Sequence, residues 1–395
     1  MPTTTLHRTP FSWLNYILLG YYGYLQASLG AVVPFIRKEL HLNLTQTGWH
    51  FTAFALGMVI AGLTADALSR RFGKRSLFWG GGAGMALATF VLTQAATLLI
   101  SVLACFFMGL MGTFLMIMIQ SLLNSFFDEH APQALTEANI VASTFASIVP
   151  LMVGLSLWLQ LGWEFALYLA ILFWFITWFR NRHKPFPATI PERTADDNEQ
   201  RPRLPRIFWI YLAIIFFSVS IEWSVIFWSA IFMETVHLIN ADLAATLVTI
   251  LFIGVIISRF VFSRLMQRYS LSKLFPLTLA LLLTGLPLFC FGMNPVIVII
   301  GLFLIGLGMG NLFPLGLSMA SRIGYLTPDL TSAKVALTGG SAILIMPQVL
   351  AVLGDSLGIF KAFLIIFLMV FALIILHLIT IYRPGSSVSA LIKGN

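Results

Sequence analysis

Twelve long stretches of apolar residues, separated by short polar segments, organise this chain of 395 residues. A helix rises 1.5 Å per residue, so about 20 apolar residues cross the ~30 Å hydrocarbon core of a membrane. The pattern predicts an all-α membrane protein with twelve transmembrane helices. These helices are expected near residues 11–36, 47–67, 76–97, 99–123, 135–159, 163–180, 206–233, 243–264, 273–292, 295–320, 334–353 and 359–382.

The composition agrees with a membrane-embedded chain. Hydrophobic residues make up 59% of the sequence and charged residues 10%, with a mean hydropathy of +0.93, which excludes an ordinary soluble domain. The short connecting segments leave no room for a separate catalytic domain, and no nucleophile–base pair, phosphate loop or zinc spacing is visible. We therefore expect no enzyme activity and no cofactor. Cys105 and Cys290 both fall in predicted helices, so no disulfide or metal framework is expected.

The positive charges mark one face of the membrane. The segment 62–75, GLTADALSRRFGKR, holds four cations between the second and third stretches, so it is predicted to be a loop at the membrane surface. If the N-terminus is cytoplasmic and twelve helices alternate, 19 of the 23 Lys and Arg residues lie on the cytoplasmic side. The positive-inside rule then places both termini in the cytoplasm of a multi-pass plasma (inner) membrane protein. The net charge of +8 needs no nucleic-acid partner.

A hydrophilic segment divides the chain into halves. Residues 181–205 contain five prolines, mixed charge and little apolar content, which is typical of a linker. The expected domains are an N-terminal six-helix bundle at 1–180, a cytoplasmic linker at 181–205 and a C-terminal six-helix bundle at 206–395.

Weak internal similarity supports this division. GWEFA at 162–166 recurs 196 residues later as GIFKA at 358–362, and MGLMG at 108–112 resembles IGLGM 197 residues later at 305–309. Pro150 and Pro347 are also 197 residues apart. The sequence therefore predicts two pseudo-symmetric bundles from a duplicated unit, as expected of transporters that rock around a central site.

The segment 62–75 also carries a family resemblance. It resembles the signature loop of the major facilitator superfamily at Gly62, Asp66, Arg70, Arg71, Gly73, Lys74 and Arg75. The resemblance implies a secondary transporter with alternating access, whose cytoplasmic gate would be held by Asp66, Arg70 and Arg71.

The second half departs from this signature. The sequence around Gly254 keeps Arg259 but lacks the acid, so Arg259 is expected to belong to a second, weaker part of the cytoplasmic gate.

The fourth helix departs from one subgroup of the superfamily. It lacks the arginine that drug–proton antiporters commonly carry, which weakens a drug-export interpretation.

Polar residues recur on single faces of four predicted helices. They are Asn15, Tyr22 and Gln26 in the first helix, Thr113, Gln120 and Asn124 in the fourth, Ser218 and Glu222 in the seventh, and Asn311 in the tenth. Polar side chains in a membrane face the bundle interior or water. These four helices line the central cavity in the superfamily, so the resemblance implies that the residues contact the substrate. The alternative is hydrogen bonding between helices, which we favour for the serine and the threonine.

Glu222 is the strongest single candidate for a functional residue. It lies 16 residues into the seventh predicted helix, or about 24 Å deep, where a carboxylate needs a partner or a proton. Arg259 lies roughly 7–8 Å from the cytoplasmic end of the eighth helix, so straight helices would separate the two by ~15 Å. We therefore expect separate roles, with Glu222 as a proton carrier or cation contact. A structural buried acid bonded to Trp or Ser neighbours is the alternative.

Together these observations predict a secondary active transporter that moves a small organic solute by alternating access. The proton is the expected coupling ion, the bilayer the expected environment, and a monomer suffices. One alternative is an exporter of amphipathic drugs or lipids through a site lined by aromatic side chains. Another is a non-transporting membrane receptor or scaffold, whose central face would be closed by large apolar residues.

Overall fold

The computed structural model describes residues 8–127, 130–184, 205–266, 268–320 and 328–382. Within these ranges the chain forms thirteen helices, α1 to α13, and no β-strand. Most of the predicted linker at 181–205, namely residues 185–204, lies outside the described residues, as do both chain termini.

Six helices precede the linker region. They are α1 (Pro10–Glu39), α2 (Leu44–Phe72), α3 (Lys74–Thr93), α4 (Leu98–Phe127), α5 (Ala131–Trp158) and α6 (Glu164–Asn181).

Seven helices follow it. They are α7 (Arg206–Val236), α8 (Ala241–Leu265), α9 (Leu271–Phe291), α10 (Pro295–Met309), α11 (Leu312–Ala320), α12 (Pro328–Leu357) and α13 (Ile359–Tyr382). Helices α10 and α11 together occupy the tenth predicted stretch.

The predicted all-α membrane architecture is confirmed. In the described part of the chain, ten helical spans are long and apolar enough to cross a membrane, with α10 and α11 counted as one span. Helices α1 and α6 occupy the first and sixth predicted positions but fall outside these ten. Helix α6 has only 18 residues, with Glu164 and Arg180 near its ends.

Local sequence explains where the first two helices begin. Thr9 caps α1 by accepting from Ser12 N at 3.2 Å, and the Ser12 hydroxyl oxygen accepts from Thr9 N at 2.8 Å. Asn43 and Gln46 form the same reciprocal pair at the start of α2. Each box satisfies two backbone N–H groups that a helix start leaves unpaired.

The predicted loop at 62–75 is largely helical, which corrects the sequence-based expectation. Helix α2 continues through Phe72, and α3 begins at Lys74. Between them lies Gly73, with a φ of +82° that favours glycine. The charged residues stay helical because Arg is a good helix former, and cations in the last turn interact favourably with the helix dipole.

The chain divides into two compact units. The first contains α1 to α6 and residues Ile239–Thr249, and the second contains α7, the rest of α8 and α9 to α13. In the first unit α1 packs against α5, and α4 packs against α2 and α3. In the second unit α7 packs against α11, α12 and α13, and α9 packs against α10. The predicted domain boundary at 181–205 stays a prediction.

Each unit contains the same close helix contact. Helices α2 and α4 meet at Gly57 and Gly109, where an added Cβ would come closer than 3.0 Å to backbone atoms of the facing helix. Helices α8 and α10 meet in the same way at Gly254 and Gly306. Each glycine of the second pair lies 197 residues after its counterpart in the first pair.

Unusual backbone angles repeat with almost the same offset. Gly162 and Gly358 precede α6 and α13 with φ values of +81° and +86°. His41 and Leu238 follow α1 and α7 with φ values of +51° and +54°. A positive φ is uncommon for residues other than glycine, so its recurrence after corresponding helices supports a duplicated six-helix unit.

Candidate functional site

The tenth predicted helix is broken, and polar side chains from α8 meet the break. Helix α10 ends at Met309 and α11 begins at Leu312. The Ser258 hydroxyl donates to the carbonyl of Leu307, and Asn311 Nδ2 donates to Ser258 Oγ at 2.8 Å. Such partners are needed because an interrupted helix is tolerated in a membrane only where its backbone groups find hydrogen bonds.

Arg259 links this break to α7. Its Nε donates to the carbonyl of Gly310 at 3.3 Å, and its Nη2 lies 3.9 Å from Glu222 Oε1. The side chain of Arg259 is 39% exposed and that of Glu222 17%. We call Glu222, Ser258, Arg259 and Asn311 the Glu222 cluster.

The expectation that Glu222 and Arg259 lie too far apart to interact is therefore wrong. It compared the depths of the two backbone positions only. Consecutive membrane helices run in opposite directions, and side chains lean toward the N-terminus of their own helix. Glu222 on α7 and Arg259 on α8 thus lean toward each other, and the long arginine side chain covers the remaining distance.

Sequence reasoning found three members of the Glu222 cluster and missed Ser258. The serine resembles many others in the chain, and its role depends on the break in the tenth helix. The run GLGMGN before Leu312 carries three glycines and one asparagine, which signals a weak helix. That signal, read together with Ser258 next to Arg259, could have predicted the contact.

Three predicted cavity residues in the first unit are buried with unsatisfied polar atoms. Asn15 Nδ2 donates to the carbonyl of Phe11 at 2.8 Å. Among the described residues, Asn15 Oδ1 has no hydrogen-bond partner, and the Tyr22 and Thr113 hydroxyls lie near each other without a hydrogen bond of normal geometry. A buried polar atom without a partner is costly, so a water molecule or a solute group would stabilise these positions.

The other predicted cavity residues differ in their surroundings. Gln26 is half-buried with its Nε2 3.9 Å from Met58 Sδ, Gln120 is half-buried, and Asn124 is exposed. The Ser218 hydroxyl is buried and donates to the Ile214 carbonyl of its own helix at 2.7 Å. This bond gives Ser218 a structural partner within α7, and it is not the hydrogen bond between helices that was the alternative for serine.

The predicted gate residues are paired within one helix. Arg70 forms an ion pair with Asp66 one turn earlier on α2. Both side chains are mostly exposed, at 70% and 66%. The Arg71 guanidinium lies 5.3 Å from the ring centroid of Phe72. Lys74 Nζ donates to Ser121 Oγ of α4 at 2.7 Å and so links the junction of α2 and α3 to a third helix.

A further ion pair joins the start of the chain to α5. Arg8 donates twice to the Glu137 carboxylate, at 3.0 Å from Nε and 2.8 Å from Nη2. Tyr16 donates to the same carboxylate at 3.2 Å. Its hydrogen bonding to the Glu137 carboxylate raises the pKa of Arg8 above its usual value. The sequence did not reveal this pair, because Arg8 and Glu137 are 129 positions apart and form no local sequence pattern.

The family description for the Major Facilitator Superfamily matches residues 16–323. No curated protein matches the chain.

Two solved structures illustrate the similarity of fold. The chain is similar to a bacterial homologue of the human lysosomal transporter Spinster in an inward-facing and occupied conformation, with a TM-score of 0.73 and 12% identity over 94% of this chain and 97% of that one. It is also similar to the nucleoside transporter NupG, with a TM-score of 0.70 and 15% identity over 93% of this chain and 99% of that one. At such identities the likeness concerns the fold alone.

Proposed function

Because the chain belongs to the Major Facilitator Superfamily, a family of membrane transporters, we propose that it is a secondary active transporter. It moves a small organic solute by alternating access and couples this movement to protons. Its environment is the plasma (inner) membrane, with both termini cytoplasmic, and it acts as a monomer. The observation that carries the proton coupling is the ion pair between Glu222 and Arg259.

The pair supports coupling because its two members respond differently to a proton. An arginine stays charged at all physiological pH values, whereas a carboxylate can be neutralised. Protonation of Glu222 removes its own charge attraction for Arg259, which also contacts the carbonyl of Gly310 at the α10–α11 break. Proton binding thereby changes the electrostatic interactions of a residue that contacts the α10–α11 break. Ionisable residues inside membranes commonly have such roles.

The remaining predicted residues take the roles that the family implies. The solute contacts are Asn15, Tyr22, Gln26, Thr113, Gln120, Asn124, Ser218 and Asn311. The unsatisfied geometry at Asn15, Tyr22 and Thr113 supports this role in the first unit. In the second unit, the bond of Ser218 within its own helix weakens this role for Ser218. Asp66, Arg70 and Arg71 hold the cytoplasmic gate, with Arg259 as an added contact in the second half.

The test is solute uptake into liposomes that contain the purified protein. Solutes that raise the melting temperature of the protein are assayed for flux with and without an inward proton gradient. Wild-type protein accumulates its solute when the gradient is present. Glu222→Gln keeps the side-chain size but cannot exchange a proton, so it equilibrates the solute without accumulating it.

A matched control lies on the same helix. Glu234 is a half-buried acid of α7, twelve residues after Glu222, and Glu234→Gln leaves accumulation unchanged. If Glu222→Gln still accumulates solute with the wild-type pH dependence, proton coupling through Glu222 is wrong, and uniport or coupling elsewhere replaces it.

A further inference from the structure

The C-terminal end of α6 lies beside the N-terminal end of α3 in the first unit. The two helices pack against each other, and the Arg75 guanidinium of α3 donates to the carbonyl of Arg182, just after α6. Helix α3 begins without a side-chain cap, so its first turn presents partial positive charge. Three cations from the α6 side lie at the same end, and we call Arg180, Arg182 and Lys184 the α6 cations.

The α6 cations have no acidic partner in the described part of the chain, where none of them forms an ion pair. Helix α3 contains no acid, and the acid of α6, Glu164, lies at the opposite end of that helix, about 24 Å away. The acids of the neighbouring helices α2 and α5 are already paired, Asp66 with Arg70 and Glu137 with Arg8. The described residues therefore leave the positive charge at this end of the unit without neutralisation.

Arg182 is oriented by aromatic rings. Its Cζ lies 5.1 Å from the ring centroid of Trp178 and 4.7 Å from that of Phe179. The Trp178 ring in turn stacks on the buried Trp174, with centroids 6.1 Å apart and an interplanar angle of 15°. The Arg182 side chain makes no hydrogen bond with the described residues. A guanidinium held by stacking keeps its charge and its N–H donors for another ligand.

An exposed apolar face of α6 leads to these cations. Its side chains are between 51% and 64% exposed, and they are Leu172, Phe175, Ile176 and Phe179. Arg180 follows Ile176 by four residues, and Arg182 follows Phe179 by three, so each arginine continues an apolar row on the same side of the helix. A ligand with both an acyl chain and an anionic headgroup matches this surface, whereas a soluble anion uses the cations alone.

We infer that the adjoining ends of α6 and α3 form a binding surface for an anionic phospholipid. The phosphate group binds at Arg180, Arg182 and the first turn of α3, and an acyl chain lies along the exposed apolar face of α6. Trp178 lies at headgroup level, where tryptophan is enriched in membrane proteins. The surface is separate from the proposed solute contacts and gate, so the inference does not rest on the transport function.

The first experiment titrates the purified protein in detergent with phosphatidylglycerol or phosphatidylcholine of the same acyl chains and follows its melting temperature. Phosphatidylglycerol binds more tightly, because its net negative charge meets the α6 cations. Arg180→Gln and Arg182→Gln each lower this affinity about fivefold, the equivalent of about 1 kcal/mol per cation, and leave the affinity for phosphatidylcholine unchanged. Lys361→Gln, which removes an exposed cation of α13, retains the wild-type preference. Melting of each variant without added lipid shows that it is folded.

The second experiment separates a shaped surface from positive charge alone. Trp178→Leu keeps every charge but removes the ring that orients Arg182, so it lowers the affinity for phosphatidylglycerol by about two- to fivefold. Trp178→Phe retains a ring and binds more tightly than Trp178→Leu. If Trp178→Leu binds like the wild-type protein, the cations act through their charge only, and the inferred surface is wrong.

Glycerol phosphate distinguishes a lipid from a soluble phosphate, because it carries the charge of the headgroup without acyl chains. We expect it to leave the melting temperature unchanged at concentrations where phosphatidylglycerol saturates the protein. Stabilisation by glycerol phosphate that is lost in Arg182→Gln would assign the cations to a soluble phosphate and overturn the inference.

The chain itself is the remaining source of negative charge. The segment 185–204, outside the described residues, contains Glu192, Asp196, Asp197 and Glu199. A variant with these four acids replaced by their amides should bind phosphatidylglycerol like the wild-type protein. If only this variant prefers phosphatidylglycerol, the cations are neutralised within the chain and the inference is overturned. Equal affinity for the two lipids in both proteins overturns it as well. None of these outcomes bears on the proposed transport function, which solute flux tests separately.

Discussion

At the scale of single residues, the Glu222 cluster combines two charges with two neutral anchors. Glu222 and Arg259 carry the charges, and Ser258 and Asn311 are almost fully buried, at 1% and 2% exposure. The anchors keep the backbone of the α10–α11 break in place. The cluster thus places an acid and a base beside a hydrogen-bonded break in a membrane helix.

This arrangement predicts a non-additive effect of mutations on stability. Glu222→Ala removes the carboxylate that lies 3.9 Å from Arg259 Nη2, so it lowers the free energy of unfolding. The double variant Glu222→Ala with Arg259→Ala removes both charges and is more stable than Glu222→Ala alone. We expect a coupling of about 1–2 kcal/mol, less than the ~3–5 kcal/mol of a fully buried pair because Arg259 is 39% exposed.

Melting in detergent at constant pH measures this cycle. Glu234→Ala, alone and combined with Arg259→Ala, provides a comparison in which the two effects should add. If the effects for Glu222 and Arg259 also add, the ion pair at 3.9 Å contributes nothing to stability, and the predicted coupling is wrong.

Sequence reasoning identified the charged members of this site but separated them. The depth of Glu222 and of Arg259 follows from counting residues along a helix. The lean of each side chain follows from helix direction, which could have been used as well. The contact of Arg259 with Gly310 could not be predicted, because it depends on where the tenth helix breaks and on how α8 lies against it.

At the scale of helices, glycine sets how closely neighbours approach. The Gly57–Gly109 contact of α2 with α4 and the Gly254–Gly306 contact of α8 with α10 bring backbones together. Without a hydrophobic force between helices in lipid, such close packing is a main source of association. Hydrophobic length alone predicts the helices and cannot predict these contacts, whereas the repeated spacing of 197 residues indicates them.

Adding one methyl group at these contacts should destabilise the protein. Gly57→Ala and Gly254→Ala each place a Cβ closer than 3.0 Å to a facing backbone, so each should cost about 1–3 kcal/mol. At Gly80 of α3 an added Cβ meets nothing within 4 Å. Gly80→Ala should therefore be neutral or stabilise by up to about 1 kcal/mol through helix propensity.

Thermal melting of the three variants separates the effect of helix packing on stability from the effect of helix propensity. A loss of stability at Gly80 as large as that at Gly57 would point to a general sensitivity to alanine. Equal losses of stability at Gly57 and Gly254 would show that the corresponding contacts in the two units contribute similarly to the free energy of unfolding.

At the scale of the whole molecule, the order of helices was predictable and the details of their ends were not. Twelve apolar stretches correspond to the helices found, because hydrocarbon thickness imposes a minimum length. The extension of α2 to Phe72 was missed, since charge ends the apolar run before the helix itself ends. The recurrence of positive φ at Gly162 and Gly358 supports the duplication that the short repeats suggested.

The distribution of charge predicts the orientation of the whole chain. With 19 of 23 basic residues on one side, both termini should be cytoplasmic, because Lys and Arg near the ends of membrane helices are retained on that side. Green fluorescent protein fused to either terminus should therefore be fluorescent in bacterial cells. Alkaline phosphatase fused after the connectors that follow α1 and α7, at His41 and Leu238, should be active, and fused at Gly73 it should be inactive. Active phosphatase at Gly73 would place the Asp66–Arg70 pair on the opposite face, and the proposed cytoplasmic gate would then be wrong even if transport itself were demonstrated.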